Sequence, residues 1–137
     1  MNKYMVEVED HFSYAHRLRG PEAGKCGRLH GHNARVVVRL EADGLDANGM
    51  VVDFRKLKKV VGKVVDEFDH RTLLRQDDEL AEVIPGRKIL SGNPTAEVLA
   101  TAIRMLIRSS MLYTEFPYES RLSVTVYETA TCSATAS

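Results

Sequence analysis

The sequence predicts an α+β fold in a single domain covering residues 1–137. Three observations carry this. Two early segments alternate apolar and polar residues with period two, two later segments repeat apolar residues at helical spacing, and one more alternating segment follows. With 137 residues the chain is long enough for one hydrophobic core. No repeat, low-complexity tract or dividing linker interrupts it.

The first strand is expected over about Tyr4–Leu18. Val6, Val8, Phe12, Tyr14, His16 and Leu18 share one parity, and Glu7, Glu9 and Arg17 take the other. His11 falls on the polar face and reads as a surface residue. Gly20, Pro21, Gly24 and Gly27 then break the chain into a loop. A second strand, about His30–Ala42, places Val36, Val38 and Leu40 on the face of His30 and His32. Asp43-Gly44 and Asn48-Gly49 mark turns, and Met50–Asp53 reads as a short strand. Leu57, Val60, Val61, Val64, Val65 and Phe68 form the apolar stripe of a first helix. Arg71–Gly92 looks irregular, which suggests a long functional or mobile loop. Asn93-Pro94 resembles an N-cap followed by proline in the first helical position. The helix behind it carries Val98, Leu99, Ala102, Ile103, Leu106 and Ile107 to about Ser109. Arg121–Thr129 is the last expected strand, with Leu122, Val124, Val126 and Glu128 on one face.

The bulk chemistry narrows the function classes. Lys+Arg and Asp+Glu each number 19, so the formal charge is zero and no broad cationic surface for nucleic acid is expected. No apolar run approaches a membrane span, and the first residues lack a secretory signal. The chain has two cysteines, Cys26 and Cys132, which argues against a disulfide framework and for a reduced, cytoplasmic setting.

The segment Cys26-Gly-Arg-Leu-His30-Gly-His32 is the most informative. Residues two apart in a strand face the same way, so His30 and His32 can grip one metal ion. His16 shares the apolar parity of the first strand. If the two strands pair antiparallel, three imidazoles converge, the ligand pattern of a catalytic Zn2+ with an open position. The glycine between the histidines fits either a close backbone approach or a bulge. Cys26, in a loop between Lys25 and Arg28, is a candidate base, with an inert thiol as the competing reading. Asp69-His70 at the end of the first helix suits a proton relay or a plain helix-end charge cluster. Glu128 is the odd carboxylate on an apolar face. It suits the N–H edge of a pterin or guanine, or else simply faces solvent. Thr95 and Glu97 are candidate substrate-binding residues that equally suit helix capping.

Several segments together resemble the 6-pyruvoyltetrahydropterin synthase / 6-carboxytetrahydropterin synthase family. They are Phe12-Ser13-Tyr14-Ala15-His16-Arg17-Leu18, Lys25–Asn33, Gly49–Phe54, Asp69-His70, Asn93–Glu97 and Tyr127-Glu128-Thr129, in that order. The resemblance implies the tunnelling fold, an antiparallel sheet with two helices on one face. Subunits of that fold assemble around a β-barrel, commonly as a homohexamer. It implies zinc on His16, His30 and His32, Cys26 as proton acceptor, and Asp69, His70 and Glu128 assisting. The implied substrate is 7,8-dihydroneopterin triphosphate. The short loop before Lys25 is most like that of the bacterial 6-carboxy enzymes of queuosine precursor synthesis. The pyruvoyl activity and a non-catalytic zinc-stabilised pterin-binding protein are the alternatives. The chain departs from the family pattern at Ala34, where an aromatic is common, and at its C-terminus, which lacks the aromatic many members carry after the glutamate.

Overall fold

The longest paired segments set the frame. In the computed structural model, which describes residues 2–111, 116 and 120–137, β1 (Tyr4–His16) and β2 (His30–Ala42) pair antiparallel along their full lengths, from Tyr4 opposite Ala42 to His16 opposite His30. The register is unbroken, so Gly31 marks no bulge. A side chain at Gly31 would come within 3.2 Å of the Tyr14 carbonyl, and that close approach is what the glycine allows.

β5 (Arg121–Tyr127) pairs antiparallel with β2, and β6 (Ser133–Ala136) with β5. On the other side, β3 (Arg71–Arg75) runs parallel to β1, and β4 (Arg87–Leu90) parallel to β3. The sheet order is β4-β3-β1-β2-β5-β6. The sheet is therefore mixed, and not the antiparallel sheet the resemblance implies: an antiparallel centre carries two short parallel strands at one edge.

Two helices cover the face that holds Val36, Val38, Leu40, Leu122, Val124 and Val126. α1 (Phe54–Asp66) buries Leu57, Val60, Val61, Val64 and Val65. α2 (Ala96–Met111) buries Leu99, Ala100, Ile103, Ile107 and Met111. Phe68, just beyond α1, is fully buried beside Phe12. These residues form one contiguous core. The opposite face carries charge pairs across strands, Glu9 with Arg35 and Glu7 with Arg39. The guanidinium of Arg35 also stacks 4.0 Å from the Tyr127 ring centroid.

Three expectations about single segments are corrected, and one strand is added. Residues Met50–Asp53 form no strand. The Asp46 carboxylate collects the Asn48 and Met50 N–H groups in a turn, and Asp53 caps α1 by accepting from Arg55 N–H at 2.8 Å. The Arg71–Gly92 stretch is no irregular loop, since it holds β3, a 3-10 turn at Glu79–Glu82, and β4. α2 is capped by Thr95, not Asn93, because the Thr95 hydroxyl accepts from Val98 N–H at 3.2 Å. Strand β6 was not expected: its small residues show no amphipathic alternation, and it forms by pairing with β5.

A candidate metal centre and its cavity

The β1–β2 register places His30 directly across from His16, and His32 across from Tyr14. All three imidazoles share the apolar face at one end of the sheet. His16 is buried, and His30 and His32 are half-buried. One ring nitrogen from each lies within 4.8 Å of the others. His16 Nε2 and His30 Nε2 are 3.1 Å apart.

Backbone carbonyls fix how these rings present themselves. His16 Nδ1 lies 2.7 Å from the Pro94 carbonyl, and His30 Nδ1 lies 2.6 Å from the Arg28 carbonyl. A carbonyl only accepts, so both Nδ1 atoms carry the proton and both Nε2 atoms turn a lone pair inward. The Nε2 of His32 is buried without a hydrogen-bond partner among the described residues. Glu128, the first residue after β5, brings Oε1 to 3.3 Å from His16 Nε2 and 3.4 Å from His32 Nε2. Lone pairs and a carboxylate oxygen thus crowd one point, and a cation there relieves their repulsion. Burial, more than any other cause, pushes the His16 pKa below its ordinary value, with the neighbouring His30 adding to the effect against the Pro94 carbonyl. The neutral ring is the form that binds metal. The donor set therefore fits a divalent metal. Imidazole nitrogen with a nearby carboxylate suits zinc among others.

A cavity of about 270 Å3 opens onto the three histidines. Cys26, Thr95, Glu97 and Glu128 line it too. Cys26 is an exposed free thiol in a 3-10 turn, and its carbonyl accepts from Leu18 N–H at 2.7 Å, which ties the turn to the end of β1. Thr95 combines both sequence readings, as it caps α2 and lines the cavity. A larger cavity of about 850 Å3 under the Asp43–Asp53 loop is lined by no histidine or cysteine.

Asp69 and His70 are placed elsewhere. His70 lines a second cavity with Ser13, Asn33 and Arg71, and His32 borders both this cavity and the one that holds Cys26. Its backbone φ of 57° lies in the left-handed region, as the chain turns from α1 into β3. The Asp69 carboxylate accepts from Ser13 N–H at 2.9 Å and lies 2.9 Å from His70 Nδ1. The Ser13 N–H first, then His70, holds that carboxyl below the usual carboxylate range. The pair is formed, but the cavity holding Cys26 does not include it.

Three residues escaped the sequence reading. Cys132 lines the metal-side cavity, because the β5–β6 hairpin returns it beside Glu128, whose N–H donates to the Cys132 carbonyl at 3.1 Å. Asn93 clamps the segment after β1. Its side chain accepts from Arg19 N–H and donates to the Arg19 carbonyl, both at 2.8 Å. Tyr14, whose shared parity with His16 was the available signal, packs its ring edge-on at 5.0 Å from His16. Burial first, then the Glu128 carboxylate, pushes its phenol pKa up.

The sequence profile of the 6-pyruvoyl tetrahydropterin synthase family matches residues 5–137. The chain belongs to this family. Within the 6-pyruvoyl tetrahydropterin synthase family, it is similar to the 6-carboxy-5,6,7,8-tetrahydropterin synthase of Rickettsia felis, with 38% identity over 128 residues, covering 88% of this chain and 91% of that protein. The Bacillus subtilis protein of the same name is 38% identical over 100 residues, covering 73% and 62%. Among solved structures, the 6-pyruvoyl tetrahydropterin synthase of Caenorhabditis elegans matches with TM-score 0.72 and 30% identity, covering 99% of this chain and 96% of that one. The Plasmodium vivax 6-pyruvoyl tetrahydropterin synthase, 22% identical with TM-score 0.80 and 99% of this chain covered against 98% of that one, shares the fold. The tunnelling fold expected from the sequence is thus the fold observed. No helix among the described residues is long and apolar enough to cross a membrane.

Proposed function

We propose that this chain is a zinc-dependent 6-carboxy-5,6,7,8-tetrahydropterin synthase. It converts 7,8-dihydroneopterin triphosphate and water to 6-carboxy-5,6,7,8-tetrahydropterin, acetaldehyde and triphosphate, in the cytoplasm, on the route to queuosine. The observation that carries the proposal is the meeting of three inward-facing imidazoles with Cys26 and Glu128 around one cavity. The shared name of relatives that the chain matches over most of its length supports the 6-carboxy product.

In this reading His16, His30 and His32 hold the zinc. When bound, zinc supplies the Lewis acidity that makes the substrate's side-chain hydroxyls easier to deprotonate. Cys26, in thiolate form, takes a proton from the substrate side chain. Glu128 accepts hydrogen bonds from the N–H edge of the pterin ring and fixes its orientation, while Thr95 and Glu97 border the same cavity. Asp69 orients His70, which moves protons on the far side of the substrate. His70 lies in a cavity that His32 borders but Cys26 does not, and in this reading it serves the site of a neighbouring subunit in a homohexamer.

The deciding experiment is incubation of zinc-loaded protein with dihydroneopterin triphosphate, with products identified by mass spectrometry. The 6-carboxy product and acetaldehyde are expected. The 6-pyruvoyl product instead would reject this assignment and favour the second reading, which the Caenorhabditis elegans structure supports. No turnover with zinc bound would favour a pterin-binding protein without catalysis.

A further inference from the structure

The two cavities that His32 borders differ in charge. The one that opens onto the three imidazoles is lined by two carboxylates, Glu97 and Glu128, and by no lysine or arginine among the described residues. The second, of about 440 Å3, is lined by Arg71 and by no carboxylate among the described residues. Its shape follows from the strand registers. On the sheet face away from the core, Ser13 lies across from Asn33, and Ala15 lies across from Gly31. Thr72 of β3 pairs with Ala15 from the other side. Ala15 and Gly31 carry little or no side chain, which leaves a hollow between Ser13, Asn33 and Thr72.

The groups around this hollow are donors that the protein's own bonding leaves over. The Ser13 hydroxyl donates to Asn33 Oδ1 at 2.6 Å, so the acceptor end of that amide is used and its two N–H bonds point elsewhere. Those N–H groups, the Thr72 hydroxyl and the exposed Arg71 guanidinium have no hydrogen-bond or ion-pair partner among the described residues. Other arginines are neutralised, Arg35 by Glu9, Arg39 by Glu7 and Arg121 by Asp43. Asp69, close to Arg71 in sequence, is already engaged by Ser13 N–H and His70. A guanidinium with amide and hydroxyl donors, and no carboxylate, is a set that takes an oxyanion. The planar guanidinium matches a phosphate with two parallel N–H bonds.

We propose that this hollow is a polyphosphate subsite, in which Arg71, the Asn33 amide and the Thr72 hydroxyl hold the triphosphate chain of the substrate. Charge divides the substrate between the two cavities. The N–H edge of the ring suits the carboxylates, and the anionic chain suits the arginine. Arg71 directly follows His70, and both line the hollow. The group that moves protons at the substrate side chain and the group that holds the phosphates on that side chain are thus neighbours. The subsite rests on the site reading given under Proposed function.

The test measures binding of inorganic triphosphate to the zinc-loaded full chain by calorimetry, together with steady-state kinetics on dihydroneopterin triphosphate. Arg71→Gln removes the charge, and Asn33→Asp replaces two donors by a repelling oxygen at constant size. Both residues are exposed, so the variants are expected to keep the zinc content and denaturation midpoint of wild type. Each is expected to weaken triphosphate binding about tenfold, the worth of a charge-assisted hydrogen bond, and to raise KM by a similar factor. Binding of dihydroneopterin, which lacks the phosphates, is expected to be unchanged in Arg71→Gln. Lys25→Gln and Arg28→Gln, which alter the cations flanking Cys26, are expected to bind triphosphate as wild type does. Wild-type affinity in both Arg71→Gln and Asn33→Asp overturns the proposal, as does a loss confined to Lys25→Gln or Arg28→Gln, or no binding to wild type. Normal turnover with such a result would keep the functional reading and reject the subsite. Triphosphate binding that depends on Arg71 and Asn33, in a protein that turns over no pterin, would keep the anion site and reject the functional reading.

Discussion

At the scale of single residues, chemistry concentrates where lone pairs face one another. His16 is the most constrained of the three imidazoles, buried and tied to the Pro94 carbonyl. Its folded-state pKa lies below the ordinary value of about 6.5. Between those two values the unfolded chain binds the proton and the folded chain resists it. The metal-free protein is therefore expected to keep its full stability above about pH 6.5 and to lose part of it as pH falls toward the depressed value. Denaturant titrations with chelator across that range check this, and a flat profile would contradict it. Cys26 gives a second prediction. Cys26→Ala is expected to lower kcat by about 10²–10⁴-fold, typical of losing a general base. Metal content should be unchanged, because the thiol is outside the three-imidazole group. Full activity in that variant would remove Cys26 from the mechanism.

At the scale of elements, the cavity depends on how strand ends are tied to helix starts. The Asn93 clamp on Arg19 and the Pro94 carbonyl on His16 join β1 to the N-terminus of α2. Arg17, the residue after His16, is anchored from the other side by Asp78, with Arg17 Nε to Asp78 Oδ2 at 2.8 Å. Asp78 is 3% exposed and also caps the 3-10 turn at Glu79–Glu82 through Leu80 N–H. Asp78→Ala leaves the Arg17 guanidinium only the exposed Glu79 carboxylate, at 3.2 Å, and removes a cap, so a loss of about 2 kcal/mol is expected by chemical denaturation. The guanidinium holds the Asp78 carboxyl below the usual carboxylate range. Its contribution is thus present above about pH 4 and lost as pH falls through the depressed value. Thr95→Ala tests the other anchor, with about 1 kcal/mol lost from the α2 cap. A second effect on KM would be expected only if the hydroxyl also meets substrate.

At the scale of the whole molecule, the candidate site residues border two cavities. The imidazoles, Cys26 and Glu128 share one, while His70 opens onto another that His32 also borders. If neighbouring copies complete each site, Cys26→Ala and His70→Ala proteins, each inactive alone, should regain activity when unfolded, mixed and refolded together. In a mixed oligomer a fraction of sites would then pair an intact Cys26 with an intact His70. Persistent inactivity of the mixture, with mixed oligomers verified by mass spectrometry, would place both groups in one chain's site. Chelator removal of the metal is expected to leave the fold largely intact, because the core of Val36, Leu57, Leu99, Ile103 and Val124 is built without the ligands.

The sequence alone determined the first two strands, both helices, and the shared apolar parity of His16, His30 and His32, with their convergence conditional on an antiparallel pairing. Each rests on local periodicity, and period two in a strand and 3.6 in a helix assign faces without knowledge of partners. The same alternation put Glu128 on the apolar face. The short strands β3, β4 and β6 were hidden, because four or five residues hold too little periodicity and their order comes from pairing with β1, β3 and β5. Only the tertiary structure decided which residues meet across strands. It set Tyr14 against His16 and His32, returned Cys132 to the cavity rim, and turned His70 toward a second opening that His32 also borders. Those contacts depend on register and chain reversal between distant segments, which no local window of the sequence contains.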